Sequence, residues 1–328
     1  MQDSQVVLLT TGGTIACRLD ASGALTPIAT GDELLALLRP EAVATLACRV
    51  EVEHVSHTTG WNMTPEAMQD VARRIQAQAE REDVCGVVVT HGTDTVEETM
   101  LAVQLLVRTQ KPVCFAVAMR SLSDPYPDGP ANLLAALQVV TSPRARGRGV
   151  LLTVNGEIHS ALDVTKTDCS SVHAFESSHG PVGRVAFDGV RFGELRATPS
   201  VRHDFRELDR RVALVKTFTG MDDRIVRAAL EGARGLVLEG TGAGNVPDAI
   251  VPAVAEAIAR GVAVVIVSRC WRGLLSPTYG TAGGGRSLRT MGCLLGLELN
   301  AQKARILLMA ALGAQLQGEA LRLLFELQ

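Results

Sequence analysis

An α/β protein of two domains is what the sequence predicts, and three observations predict it. Short valine-rich apolar runs alternate with helical patterns through the first half, which argues a parallel sheet with helices on both faces. A shorter stretch of the same alternation begins at Val212 and runs to the end of the chain. Between the two, RFGELRATPSVRHDFRELDRR is charged and without periodicity, so residues 191–210 read as a linker between domains at 1–190 and 211–328. The length of 328 residues suits two domains with sizeable cores.

In the first domain, strands are expected at Val6–Leu9, Val50–Val55, Val84–Val89, Val113–Ala118 and Val150–Val154. A helix over Glu66–Arg81 has Thr64 as its N-cap and Pro65 as its first residue. A second, Val96–Val107, opens on Thr95-Val96-Glu97-Glu98, the pattern of a capping box. A third, Asn132–Val140, follows Asp128-Gly129-Pro130. The second domain reads as strand Val212–Lys216, helix Ile225–Leu230, strand Gly235–Glu239, helix Ala249–Arg260 and strand Val262–Val267. Two closing helices follow, Ala301–Leu312 capped by Asn300 and Glu319–Glu326.

Composition narrows the function classes. Hydrophobic residues make up 47% and charged residues 20%, the profile of a globular chain. A net charge of -3 and a pI near 6.2 leave no basic face for nucleic acid or an anionic membrane. Met1-Gln2-Asp3-Ser4 lacks a basic leader and VVLL is too short for a signal core, and no apolar run spans a bilayer. Seven cysteines without a CxxC pair read as small buried hydrophobes in a reducing compartment, which makes the cytoplasm the expected address.

Chemistry gathers at strand ends. TTGGTIA, Thr10–Ala16, follows VVLL where an open α/β sheet binds ligands, and its glycines permit close backbone approach. It has neither G-x-G-x-x-G nor G-x-x-x-x-G-K-[ST] spacing, so no dinucleotide or phosphate loop is expected. VVVTHGTDTVEET places Thr93 and Asp94 after a strand and before a helix; taken alone, Asp94 reads equally as a helix cap. LDVTKTD sets Lys166 among hydroxyls, and a lone lysine is ordinarily a solvated charge. His54 and His57 have HxxH spacing but no third ligand nearby and read as structural, so no metal and no other cofactor is expected.

Taken in order, TGGTIA, HGTDT, AMR with DGPANL, and DVTKT resemble the bacterial-type L-asparaginase/glutaminase family across nearly the whole chain. The resemblance implies a larger N-terminal parallel-sheet domain linked to a smaller flavodoxin-like α/β domain. It implies hydrolysis of a small-molecule amide, L-asparagine, to L-aspartate and ammonia through an acyl-threonine intermediate. Thr14 is then the nucleophile, inert until a base removes its proton. Thr93, Asp94 and Lys166 match the second constellation, in which a lysine made neutral by its surroundings takes a proton through the threonine hydroxyl and the aspartate orients the group. The N–H groups of Thr93 and Ala118 would face the oxyanion. Family members assemble as homodimers or as tetramers of paired dimers, and Asn245 in GTGAGN matches a residue that reaches across that interface.

Three positions depart from the family pattern. Leu25 in GALTP stands where a loop tyrosine activates the nucleophile, and Tyr279 of the second domain is the expected replacement. Gly60-Trp61-Asn62-Met63 lacks the serine that binds the substrate α-carboxylate, leaving backbone N–H groups of Gly60–Asn62 and the hydroxyls of Thr58 or Thr59. CWRGLLSPTYGTAGGGRSL, Cys270–Leu288, has no carboxylate, unlike the secreted type, and its tyrosine and threonine look more like the cytosolic type. Trp61 is either an apolar wall for a substrate with a masked α-carboxylate or a packing residue. The alternatives are an amidase for a modified side-chain amide, a subunit acting on charged tRNA, and a non-catalytic amino-acid sensor.

Overall fold

The computed structural model describes residues 4–46, 48–194 and 203–326. The chain forms two units, residues 1–196 and 197–328. Eight of the residues expected to form the linker, 195–202, lie outside the described ones.

The first unit is built on β1 (Gln5–Gly12), the hairpin β2 (Cys17–Leu19) and β3 (Leu25–Pro27), α1 (Gly31–Ala36), α2 (Pro40–Ala44) and β4 (Arg49–Thr58). There follow α3 (Pro65–Glu80), β5 (Val84–Thr90), α4 (Val96–Leu106), β6 (Val113–Ala116), α5 (Gly129–Thr141) and β7 (Val150–Val154). Five short strands complete it: β8 (Glu157–Ser160), β9 (Val164–Lys166), β10 (Phe175–Ser177), β11 (Gly183–Ala186) and β12 (Gly189–Phe192). The main sheet runs β12-β11-β8-β7-β6-β5-β1-β4. It is parallel from β4 to β7 and antiparallel beyond.

Strand alternation sorts the core onto two faces. Val7, Leu9, Val87, Val89 and Phe115 point to one side, where Val71 and Ile75 of α3 and Met100 and Val103 of α4 cover them. Val6, Leu8, Val88 and Cys114 point to the other, under Leu133, Ala136 and Leu137 of α5. Central strands buried on both faces read as unbroken apolar runs, and β5 and β7 are so buried along nearly their whole length.

The second unit has β13 (Val212–Lys216), α6 (Arg224–Ala229), β14 (Gly235–Gly240), α7 (Val251–Ala259), β15 (Ala263–Ser268), α8 (Gly285–Met291), β16 (Leu294–Leu295), α9 (Ala301–Gly313) and α10 (Gly318–Glu326). Its four strands are parallel and stand in chain order. Gly235 has no side chain because Leu308 of α9 would meet its Cβ at 2.8 Å.

Several expectations are corrected. β1 extends three residues beyond Leu9, so Thr10, Thr11 and Gly12 belong to the strand, and the turn begins at Gly13. β6 stops at Ala116, so Ala118 lies in the loop. Thr95 is the N-cap of α4 but forms no capping box: its hydroxyl donates instead to the Gly60 carbonyl at 2.7 Å. Thr64 and Asn300 do cap α3 and α9, accepting from Ala67 N and Lys303 N. The stretch Cys270–Leu288 ends in α8 rather than in loop. Cys169 and Cys270 are exposed, not buried.

Candidate active site

Three loops converge at the carboxyl ends of β5, β1 and β4, which are neighbours in the sheet. Glycines let them touch. A Cβ on Gly13, whose φ is 80°, would stand 2.4 Å from Gly92 Cα, and a Cβ on Gly92 would stand 2.7 Å from Gly60 Cα. Real Cβ atoms do not approach so closely, so Gly13 and Gly92 are required by the backbones they face. The contact brings Thr14, Thr93 with Asp94, and Gly60–Asn62 to one place. Gly13 N also donates to Thr58 O at 3.1 Å.

Lys166 reaches this place from the β9–β10 hairpin. Its ammonium lies 2.9 Å from Thr93 Oγ1 and 2.7 Å from Asp94 Oδ1. The Lys166 side chain is 17% exposed and that of Asp94 48%, so the amine stands against a carboxylate at the edge of solvent. Thr93 is buried, and Thr14 is half-buried in the turn Thr14–Ala16. Among the described residues Thr14 Oγ1 has no hydrogen-bond partner. Leu25, at the head of β3, is exposed.

Asp128 shapes the loop after β6. Its carboxylate accepts from Met119 N at 3.1 Å and Arg120 N at 2.9 Å. Asn132 donates to that carboxylate at 3.2 Å and to Val117 O at 2.9 Å. The two polar residues of DGPANL, a turn apart on α5, thereby fix buried Ala118 from both sides; the i, i+4 spacing was the signal for this. Neither Ala118 N nor Thr93 N has an acceptor among the described residues, so both donors are free to meet an anion.

Under the Gly92 turn lies His91, fully buried, with Nδ1 2.8 Å from Gly92 O. Burial pushes its imidazole down to about 4, and the Gly92 carbonyl offsets this only in part. His54 hydrogen-bonds Thr10 Oγ1 at 3.0 Å and lies 4.1 Å, ring to ring, from His57. Burial first, and then His57, lower its pKa. No group of three metal-ligating side chains occurs among the described residues.

Gly60–Asn62 forms a single tight turn, pinned by the Thr95 hydroxyl and by Asn62 Nδ2 donating to Thr59 Oγ1 at 2.9 Å. Trp61 is 71% exposed in this chain, outside the cores described above.

In the second unit Tyr279 is exposed. Asn245 Oδ1 accepts from Gly285 N at 3.2 Å and Asp248 Oδ1 from Gly283 N at 2.7 Å, so both hold the glycine-rich segment that follows Tyr279. Asp248 was missed, since nothing in the sequence links it to residues 35 positions away.

The chain belongs to the asparaginase family: residues 5–196 match the family described as "Asparaginase, N-terminal" and residues 211–325 match "Glutaminase/Asparaginase C-terminal domain". Among its relatives, the "Probable L-asparaginase" of Deinococcus radiodurans is 37% identical over 98% of this chain and 97% of its own. "L-asparaginase 2" of Bacillus subtilis is 34% identical over 93% of this chain and 81% of its own. The crystal structure of a probable cytoplasmic L-asparaginase from Campylobacter jejuni is similar with a TM-score of 0.87 and 29% identity, covering 99% of this chain and all of that one. The two-domain α/β fold expected from the sequence agrees with that likeness.

Proposed function

We propose that the protein is an amidohydrolase that converts L-asparagine to L-aspartate and ammonia through an acyl-threonine intermediate. The relatives named L-asparaginase support the substrate, and the contact of Lys166 Nζ with both Thr93 Oγ1 and Asp94 Oδ1 carries the mechanism. Thr14 Oγ attacks the side-chain amide carbon, and the free N–H groups of Thr93 and Ala118 receive the developing oxyanion. The hydroxyl proton passes to the leaving amine, and ammonia departs. Water, activated through Thr93 and Lys166, then attacks the acyl-threonine and releases aspartate. Asp94 holds Lys166 in place and its second oxygen remains for the substrate ammonium.

Tyr279 supplies the hydroxyl that Leu25 cannot, and Asn245 serves the substrate end of a neighbouring subunit's site in a homodimer or homotetramer. The linker is proposed to start after β12, which holds Arg191 and Phe192 and so shortens the expected 191–210, and the cytoplasm is the proposed location, as for the Campylobacter protein. With Gly60 in place of a serine, the α-carboxylate is met by backbone N–H groups around Gly60–Asn62. One lost hydrogen bond to a charged group costs roughly 1.5–3 kcal/mol, so asparagine should be turned over with a weak KM.

Ammonia release from asparagine, glutamine and asparagine α-amide tests the reading. Asparagine should exceed glutamine in kcat/KM, because the longer chain carries its carbonyl past the nucleophile. Glutamine preferred, or neither hydrolysed, would overturn it in favour of a modified-amide hydrolase.

A further inference from the structure

Lys166 is carried by a strand of three residues whose one strand partner among the described residues is β10, in register Lys166 with Phe175. The hairpin is seated in the core by Val164 at its root and by Ala174 and Phe175 where it turns. The turn between Lys166 and Ala174 lies largely exposed, and β8 adds polar contacts to both ends of the hairpin. His159 Nδ1 meets Ser177 Oγ at 2.9 Å. Glu157 Oε2 lies 3.5 Å from Nε2 of His159 and 3.5 Å from Nε2 of His173, at the tip of the hairpin. One residue beyond His173, Ala174 O accepts from Thr167 N at 2.8 Å, and Thr167 adjoins Lys166. A path of named contacts therefore runs from Glu157 through His173 and Thr167 to the amine.

We propose that Glu157 is a positioning residue for Lys166, clamping the turn of the β9–β10 hairpin to the sheet through its contact with His173. The inference rests on the role given above to Lys166. Every charged group facing the carboxylate bears on it. Arg184 of β11 donates to Oε1 at 3.0 Å and is present at all pH values. His159, on β8 itself, is buried, and burial depresses its pKa, with Glu157 and then Asp163 opposing. Asp163 accepts from Ser178 N and His179 N, each at 3.2 Å, and so secures the root of the hairpin rather than its tip. His173 is the residue that Glu157 meets at the turn itself, and its side chain is 56% exposed.

The test compares ammonia release by the wild type, His173→Gln, Glu157→Gln and Lys166→Met at matched pH. In His173→Gln, kcat should fall about threefold with KM unchanged. Glu157→Gln should lower kcat by roughly tenfold, again without a change in KM. A wild-type to His173→Gln kcat ratio of one, or an effect confined to KM, would overturn the proposal. Should Glu157→Gln fail to fold, the exposed His173 variant decides alone. Full turnover by Lys166→Met would overturn the mechanism itself, an outcome distinct from failure of the clamp.

Discussion

The two hydroxyls of the site stand in opposite conditions. Thr93 is buried, held by Lys166, and underlain by a histidine that burial keeps neutral. The Thr14 hydroxyl, on the loop that the Gly13–Gly92 contact brings against it, has no hydrogen-bond partner among the described residues, and the hairpin beyond it offers exposed Leu25. On the proposed roles, one half of the chemistry has its contacts within the first unit, and the other has none among the described residues. The difference teaches that proton handling and nucleophile activation are separable in the proposed mechanism.

Removing either hydroxyl's function is the most severe way to probe this. Thr14→Ala and Lys166→Met should each lower kcat by at least about 10³-fold while leaving thermal unfolding unchanged, because residues acting as one unit do not add. Ammonia assays and a melting curve check both. Equal turnover by Thr14→Ala and wild type would remove Thr14 from the mechanism.

The built half should also be the acid-sensitive one. His91 has a folded pKa near 4, below the unfolded value of about 6.5, so the unfolded chain takes up the proton first. Its contribution is whole above about pH 6.5 and declines as pH falls toward 4, by on the order of 3 kcal/mol at the lower limit. Urea unfolding at neutral and acid pH measures this, and His91→Gln should flatten much of the slope.

For the bare half, Tyr279→Phe should reduce kcat by about 10²-fold, the usual worth of a positioned proton carrier. Leu25→Tyr in that background should restore part of it. An unchanged kcat in Tyr279→Phe would show that the phenol has no such part. The smallest effect belongs to Gly60→Ser: its Cβ would lie 3.3 Å from Gly92 Cα, a contact relieved by a slight shift. Regaining one hydrogen bond to the α-carboxylate should lower KM for asparagine about tenfold, read from initial rates.

The comparison also marks what could be read in advance. Long apolar strands and capped helices were legible because burial on two faces and cap chemistry leave local marks, as Val150–Val154, Thr64 and Asn300 illustrate. The β8–β12 region was not, since three- and four-residue strands carry too little periodicity to register. Thr95 misled for a related reason: the capping-box pattern is local, while its hydroxyl is claimed by Gly60, 35 residues away. Thr93, Asp94 and Lys166 were found as motifs, yet their contact, and the solvent-edged carboxylate beside the amine, arise from a chain crossing that no spacing encodes.

The glycine stack has one more consequence, for how this enzyme can be altered. Gly13 and Gly92 admit no side chain, whereas Gly60 nearly does, so the three loops behave as a hinge with two locked leaves and one adjustable leaf. In a mutant library scored for amide preference, viable changes should therefore accumulate at Gly60 and exposed Trp61, and new substrates should be reached by reshaping that leaf alone while the spacing of Thr14 from Thr93 stays as it is.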